Sequence, residues 1–284
     1  MEQSSQVKEL REKTMSAVFL VSALVSIFAT GLICVFLFAN GIPAIWKIGF
    51  GEFLLGTEWS PVDEPPLFGI LPMIVGSLYV TAGAIIIGAP IGILSAVFLA
   101  RAATKKIYRV IKPCVELLAG VPSVVYGFFG MAAIVPFVDN SILAASILLG
   151  IMILPTIAAI AESAIRAVPN QYYEGALALG SGHYRSVFFV LLPAAKSGIL
   201  AAVILGVGRA IGETMAVIMV AGNQARMPSS IMDGARTLTA NIVLEMGYAA
   251  DLHREALIAA GAVLFVFILM INLSFSALKA RSRI

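Results

Sequence analysis

Residues 174–193 read EGALALGSGHYRSVFFVLLP, and they lie between two long apolar runs. The stretch opens with a glutamate and small residues, has a glycine six places on, and ends in Leu-Pro. Gly180 can adopt the left-handed conformation that ends a helix, Asn170 can cap the helix before it, and Pro193 can close the helix after it. The pattern predicts a helix–glycine–helix elbow, although an ordinary amphipathic connection at a membrane surface would share several of these features.

The composition indicates a membrane protein. Of the 284 residues, 60% are hydrophobic and only 12% are charged, and the mean hydropathy is +0.98. No soluble globular domain needs that much apolar surface, so the bilayer is the expected solvent. The sequence has no metal-binding Cys/His spacing, no nucleotide-binding Gly-Lys-Thr loop and no catalytic motif. We therefore expect no catalytic residue, no metal site and no cofactor bound by this chain, and the formal net charge of +3 does not suggest nucleic acid.

Six apolar runs are long enough to cross a bilayer, which takes about 20 residues. They cover 15–38, 70–100, 114–138, 141–160, 197–220 and 256–278. The sequence thus predicts an all-α integral membrane protein with six transmembrane helices and both termini on the same side. In this division, 1–14 and 279–284 are terminal tails, 39–69 is an outer loop after the first helix, and 70–278 is the main transmembrane domain.

Basic residues are distributed unevenly between the two sides of the predicted membrane domain. If the termini are cytoplasmic, that side carries 14 of the 19 Lys and Arg residues, the outer side carries four, and Arg209 lies within the membrane. Cytoplasmic segments are typically enriched in Lys and Arg, so we expect both termini inside. The long outer segments 41–69 and 222–255 are either solvated connectors or a docking surface for an external protein.

The fifth apolar run carries two charges. Arg209 lies near the middle of 197–220, where an arginine costs roughly 2.5–3.5 kcal/mol. Glu213 follows four residues later and would share a face of a continuous helix with it. Two interpretations stay open: a structural ion pair, or an anion pathway in which the guanidinium binds phosphate-like oxygens. Gly208 and Gly212 would let another helix approach that face closely.

The third run contains LLAGVPSVVYGFFG at 117–130. Pro122 interrupts the backbone hydrogen bonds of a helix, and lipid tolerates such a break only against protein or a water-filled cavity. A packing kink and a pathway lining are both compatible with it. Ser123 and Tyr126 are the polar groups that could face a substrate. Glu162 and Arg166, at helical i, i+4 spacing, predict a surface ion pair beside the elbow.

Several of these stretches resemble one family. The segment 174–193 is similar to the EAA loop by which the membrane subunits of ABC importers dock onto an ATPase, although Gly175 stands where alanine is more common. With LAGVPSVVYGF at 118–128 and GRAIGET at 208–214, the chain resembles the permease subunits of phosphate importers. The resemblance implies the type I, MetI-like permease fold, with a coupling loop at 166–196.

The resemblance also implies a function and partners. The chain would move inorganic phosphate across a prokaryotic inner membrane, together with a second related permease, an ATPase dimer that binds ATP and Mg, and an extracytoplasmic phosphate-binding protein. The implied coupling residues are Glu174, Gly175, Ala176, Gly180, Leu192 and Pro193. The implied pathway residues are Arg209 and Glu213. The third apolar run adds Pro122, Ser123 and Tyr126 as further candidates. A permease for another oxyanion, or a secondary transporter with proton coupling through Glu213, stays open.

Overall fold

The computed structural model describes the backbone of residues 2–281 and the side chains of 11–274 and 277. Residue 1 of the predicted N-terminal tail and residues 282–284 of the predicted C-terminal tail lie outside the described residues. The remaining tail residues, 2–14 and 279–281, are helical and continue the first and last long helices of the chain. Each terminal span is therefore part of a longer helix than its apolar run alone predicts.

Helices account for most of the chain. In order they are α1 (Glu2–Ile48), α2 (Phe50–Leu55), α3 (Leu71–Val97), α4 (Lys105–Gly120), α5 (Ser123–Ala133), α6 (Val135–Val138), α7 (Ile142–Arg166), α8 (Asn170–Ala178), α9 (His183–Ser186), α10 (Leu192–Ala194), α11 (Lys196–Gly212), α12 (Met215–Val220), α13 (Leu238–Glu245) and α14 (Asp251–Arg281). Two π-helical turns extend α3 and join α9 to α10: Phe98–Ala102 and Val187–Leu191. The short strands β1 (Trp59–Ser60) and β2 (Leu67–Phe68) pair antiparallel.

The predicted spans appear as single helices or as bent pairs. Among the described residues, four helices are long and apolar enough to cross a membrane, and there are six spans if each of two bent pairs counts as one. The single helices are Arg11–Ile48, Leu71–Ala102, Ile142–Arg166 and Asp251–Ser274. The pairs are Lys105–Gly120 with Ser123–Ala133, bent by 99°, and His183–Ala194 with Lys196–Gly212, bent by 72°.

The predicted outer loop 39–69 is largely structured. Its first ten residues continue α1 as far as Ile48, and that helix ends where Gly49 takes a φ of +102°. Pro43 lies within α1 without ending it. The rest of the loop forms α2 and the hairpin of β1 and β2. Phe53 of α2 is fully buried in a hydrophobic cluster that it shares with residues of α13 and α14. The end of the domain formed by this predicted outer loop is therefore packed, and we refer to it as the outer cap.

The core of the membrane domain lies between α3 and α7. A Cβ atom added to Gly88 would lie 2.7 Å from the carbonyl oxygen of Gly150 and 2.7 Å from the side chain of Ile153. Only a residue without a side chain lets the two helices approach this closely. The fully buried Ile153 and Ile157 of α7 belong to the same hydrophobic cluster, which also includes buried residues of α11 and α12. This pair forms the frame against which the broken helices pack.

Candidate substrate pathway and coupling elbow

The third predicted span, 114–138, is not one straight helix. Its N-terminal part belongs to α4, which starts at Lys105 and meets α5 at an angle of 99°. Pro122, at the N-cap of α5, has φ −59° and ψ 141° and offers no N–H to continue the helical ladder. The residue before a proline is also driven towards an extended conformation, and Val121 has φ −67° and ψ 128°.

Tyr126 bridges this break. Its hydroxyl donates a hydrogen bond of 2.8 Å to the carbonyl oxygen of Leu118 in α4, and its side chain is buried. Ser123 begins α5 one turn earlier and is partly exposed. On the same helix Gly127 packs so closely on Met219 of α12 that a Cβ atom there would collide with the methionine sulfur. The start of α5 is thereby fixed next to the end of the fifth span.

The fifth predicted span, 197–220, is also broken, and the prediction of a continuous helix was wrong. Helix α11 ends at Gly212, Glu213 is extended with φ −70° and ψ 130°, and α12 begins at Met215. The Glu213 carboxylate accepts a hydrogen bond of 3.2 Å from the backbone N–H of Ala216. A carboxylate that binds free amides at the start of a helix stabilises that helix end, which explains why α12 begins here.

Arg209 and Glu213 therefore do not share a helix face. In the described part of the chain no ion pair joins them. The Nη1 atom of Arg209 instead donates to Thr156 Oγ1 of α7 over 3.1 Å. This is the guanidinium's one hydrogen bond to a described residue, although the group carries five N–H donors. The Arg209 charge also interacts electrostatically with the Tyr126 hydroxyl.

The candidate pathway residues lie on or beside two helices, α5 and α11, each next to a helix break. Arg209 lies on α11 and Tyr126 on α5, while Ser123 and Pro122 lie at the break just before Tyr126. Glu213 lies at the second break, where its backbone carbonyl also accepts from the Thr239 hydroxyl over 3.2 Å. Sequence reasoning missed Thr156, whose only signal was a hydroxyl within an apolar run. Four N–H donors of the Arg209 guanidinium therefore have no hydrogen-bond partner among the described residues, one turn before the break at Glu213.

The predicted close approach at Gly208 and Gly212 does not occur within this chain. A Cβ atom at either glycine would meet no heavy atom within 4 Å. Both residues lie on α11 next to Arg209. Their side of the helix is therefore open in the single chain.

The elbow has the predicted glycine but not the predicted cap. Gly180 has a φ of +84°, as the sequence predicts. The N–H of Ser181 donates to the carbonyl of Ala176 over 3.0 Å, and the N–H of Gly180 to that of Leu177 over 2.9 Å. This is the Schellman arrangement that ends a helix at a left-handed glycine.

The N-terminus of the elbow helix differs from the prediction. Pro169, with φ −55° and ψ 135°, occupies the N-cap position of α8, so Asn170 is the first helical residue. The Oδ1 atom of Asn170 accepts from Arg101 Nη1 over 3.1 Å instead of capping the helix. The prediction of an Asn170 cap was wrong because proline, which suits the start of a helix, precedes it directly. The Asn170 side chain instead connects the elbow to Arg101 in the π-helical turn that follows α3.

One side of the elbow is held by a side-chain hydrogen bond, and the other side is exposed. The Tyr173 hydroxyl and His183 Nδ1 lie 2.7 Å apart and tie α8 to α9. Leu179 is 91% exposed, and Tyr184 and Phe189 are 71% and 76% exposed. An exposed apolar patch with polar neighbours is typical of a protein–protein contact.

The other predicted coupling residues lie around this patch. Glu174 and Gly175 of α8 are exposed, and Ala176 is partly buried. Leu192 is partly buried and begins α10, with Pro193 in its first turn and exposed. The following segment, Lys196–Gly212, leaves at 72° to His183–Ala194. A change in the elbow's angle would therefore act directly on the helix that carries Arg209.

The predicted pair of Glu162 and Arg166 forms, but its glutamate is buried and does not lie at the surface. Glu162 is 2% exposed and forms salt bridges with Arg166 over 2.8 Å and with Lys112 of α4 over 2.9 Å. The Nη2 atom of Arg166 also donates to the Leu99 carbonyl over 2.7 Å. The prediction of a surface location was wrong because α4 folds back over this end of α7. A buried carboxylate requires such partners.

A second buried carboxylate, which sequence reasoning missed, organises the outer cap. Glu245 of α13 accepts from Arg236 over 2.6 Å, from Trp59 Nε1 over 2.8 Å, and lies 2.8 Å from His253 Nε2. These partners come from the hairpin, from the segment before α13 and from α14. The two long segments predicted to be outer are therefore joined through one side chain.

The family model described as "Binding-protein-dependent transport system inner membrane component" matches residues 88–284. A "Probable ABC transporter permease protein YqgH" of Bacillus subtilis is 39% identical over 95% of this chain and 92% of its own length. A "Phosphate transport system permease protein PstC" of Mesorhizobium japonicum is 34% identical over 88% of this chain and 84% of its own. A "Probable phosphate transport system permease protein PstC" of Methanocaldococcus jannaschii is 31% identical over 94% and 91%.

Solved structures agree on the fold. A chain of a bacterial ABC transporter involved in the import of the acidic polysaccharide alginate matches with a TM-score of 0.66 at 16% identity, over 96% of this chain and 99% of that one. A chain of the MetNI methionine ABC transporter in an inward-facing conformation matches with a TM-score of 0.57 at 20% identity, over 75% and 94%. The predicted MetI-like permease fold is confirmed, and the chain belongs to the family of binding-protein-dependent transport system inner membrane components.

Proposed function

We propose that this chain is a permease subunit of an ATP-driven importer that moves inorganic phosphate into the cytoplasm, with ATP hydrolysed by a separate subunit. The observation that carries the proposal is Arg209, a guanidinium one turn before the break at Glu213 that uses one donor on Thr156. A guanidinium offers a planar fork that matches phosphate oxygens. The names of the relatives from Mesorhizobium japonicum and Methanocaldococcus jannaschii support phosphate as the anion.

In the proposed pathway, the anion replaces water around the free donors of Arg209 while Thr156 keeps the guanidinium oriented. Ser123 supplies a further hydroxyl donor near the break at Pro122, while the Tyr126 hydroxyl, which donates its proton to Leu118, could only accept from a protonated phosphate. Glu213 holds the start of α12 through Ala216, and its negative charge near the path would speed release of an anion. A permease for another oxyanion would use the same groups. Competition by sulfate in the uptake assay separates the two.

The proposed partners each have a surface. A second, PstA-like permease would approach the open side of α11 at Gly208 and Gly212. A PstB-like ATPase dimer, which would bind the ATP and Mg, would receive the elbow. A PstS-like phosphate-binding protein would dock on the outer cap. Lipid covers the rest of the membrane surface, and this chain itself would bind no cofactor and no nucleic acid.

The proposed location is a prokaryotic inner membrane, crossed several times, with both termini in the cytoplasm. The basic side chains of 101–112 and of the elbow would then face the cytoplasm, as the positive-inside rule favours. This orientation places the elbow where a cytoplasmic ATPase can reach it.

For orientation, we expect single cysteines at Lys106 and Arg226 to react from opposite faces in a background with Cys34→Ala and Cys114→Ala. Both positions are exposed. Lys106→Cys should react with an impermeant maleimide only after permeabilisation, and Arg226→Cys in intact cells. Labelling of both variants in intact cells would contradict the proposed orientation.

For the pathway, Arg209→Gln should reduce phosphate uptake about 10- to 100-fold at equal abundance, because it removes a charged hydrogen-bond donor. Arg209→Lys should give an intermediate rate, since it keeps the charge but loses the fork. Uptake of labelled phosphate into proteoliposomes measures both. Lys106→Gln, which removes an exposed charge outside the pathway, serves as the control. Wild-type uptake by an assembled Arg209→Gln complex would exclude Arg209 from the pathway.

For coupling, Gly180→Val should place a β-branched residue at φ +84° and strain the elbow by about 1–3 kcal/mol. We expect weaker ATPase retention during purification, or loss of phosphate-stimulated ATP hydrolysis. Gly182→Val is the matched control, because Gly182 has φ −72° and ψ 160° and no heavy atom near a Cβ position. Equal coupling in the two variants would show that the elbow geometry is not required.

A further inference from the structure

A basic cavity of about 560 Å³ lies between the end of α3, the N-terminal half of α4 and the end of α7. Five positively charged side chains line it together with Tyr108: Arg101, Lys105, Arg109, Lys112 and Arg166. No Asp or Glu is among the described residues of its wall. We refer to it as the basic pocket. It lies apart from the pathway residues, none of which lines it.

The charges of the basic pocket are only partly neutralised. Lys112 and Arg166 share the buried Glu162, and Lys112 also lies 3.5 Å from Glu116. Lys105 and Arg109 are exposed and form no salt bridge or hydrogen bond with side chains in the described part of the chain. Positive charge therefore exceeds negative charge around the cavity.

One wall residue has a buried donor without an acceptor. The Nε atom of Arg101 is buried and has no hydrogen-bond partner among the described residues. The rest of its guanidinium is held in place, since Nη1 donates to Asn170 over 3.1 Å and the group lies 5.8 Å from the ring centre of Tyr173. A buried N–H of a charged group normally finds an acceptor. An anion in the basic pocket would supply one.

The helix that forms one wall has the pattern of a membrane-surface helix. On α4 the exposed apolar residues Ile107, Val110 and Leu117 follow helical spacing. Four of its five charged residues, Lys105, Arg109, Lys112 and Glu116, share the opposite face, and Lys106 lies at the border with the apolar face. Such a helix lies in the plane of the interface between headgroups and acyl chains. If the N-terminal part of α4 lies along the surface in this way and the chain enters the membrane at the 99° bend before α5, the basic pocket would open at the depth of the lipid phosphates.

We propose that the basic pocket binds a phosphate-bearing anion at the membrane surface. The headgroup of an anionic phospholipid and free inorganic phosphate both present this chemistry, and basic pockets between membrane helices are suited to such groups. Tyr108, whose ring centre lies 4.6 Å from the Arg166 guanidinium, closes the side towards α7. Because Arg101 contacts α8, the occupied site would join the surface lipid or phosphate to the elbow.

The test uses the purified full-length chain with its membrane and ATPase partners but without the proposed phosphate-binding protein, in an Arg209→Gln background that suppresses binding in the proposed pathway. In the first arm, the complex is placed in nanodiscs that contain phosphatidylglycerol, without inorganic phosphate, and native mass spectrometry counts the retained lipid. In the second arm, phosphatidylcholine nanodiscs are equilibrated with labelled inorganic phosphate. The two arms distinguish the lipid from the free anion.

The pocket variant is Lys105→Gln with Arg109→Gln, and the control is Lys106→Gln with Lys196→Gln, which removes the same charge from exposed positions outside the cavity. We expect the pocket variant to weaken binding about 10- to 30-fold in one arm, because each surface charge contributes to holding an anion. The control should bind as the parent does.

Two results would overturn the proposal. One is that neither phosphatidylglycerol nor inorganic phosphate binds to the parent complex. The other is an equal loss of binding in the pocket and control variants, which would indicate diffuse charge attraction without a site. Circular dichroism of both variants checks that each is folded. The assay measures binding and not transport. A negative result would therefore not contradict the proposed transport function, and a negative result in the uptake assay would not contradict this binding site.

Discussion

In a bilayer, a backbone polar group without a hydrogen-bond partner is costly, because no water is available to replace the missing bond. Both helix breaks of this domain satisfy that constraint with side chains. The Tyr126 hydroxyl binds the carbonyl of Leu118 across the first break, and the Glu213 carboxylate binds the N–H of Ala216 at the second. The breaks are thus stable features, and they hold non-helical backbone beside Arg209. The candidate pathway depends on them.

The same constraint explains how charge is placed. Glu162 and Glu245 are buried, and each is surrounded by cationic or N–H partners at the two ends of the domain. Breaking a buried pair by removing one partner typically costs about 3–5 kcal/mol. Arg209 differs, because its described partner is the neutral Thr156 hydroxyl. A guanidinium satisfied by one neutral acceptor retains capacity for an anion.

Much of the fold could be predicted from sequence. Apolar runs located the spans, Pro122 marked a break, and Gly180 marked the left-handed turn. The break at Glu213 could not be predicted, because a glutamate four residues after an arginine suggests a helical ion pair as readily as a helix end. The partners of the buried carboxylates come from distant segments: Lys112 to Glu162, and Trp59 to Glu245. Only tertiary packing brings such pairs together.

The central claim is that Arg209 is oriented by Thr156 and that Glu213 acts as a helix-capping group. Thermal unfolding of the purified complex after Glu213→Gln tests this most directly, with Thr156→Val measured beside it. The account predicts little change for Glu213→Gln, because the amide oxygen can still accept from Ala216. It also predicts a clear loss of thermal stability for Thr156→Val, because this substitution leaves Arg209 without its acceptor. A loss of about 3–5 kcal/mol for Glu213→Gln, as for a broken buried ion pair, would contradict the account.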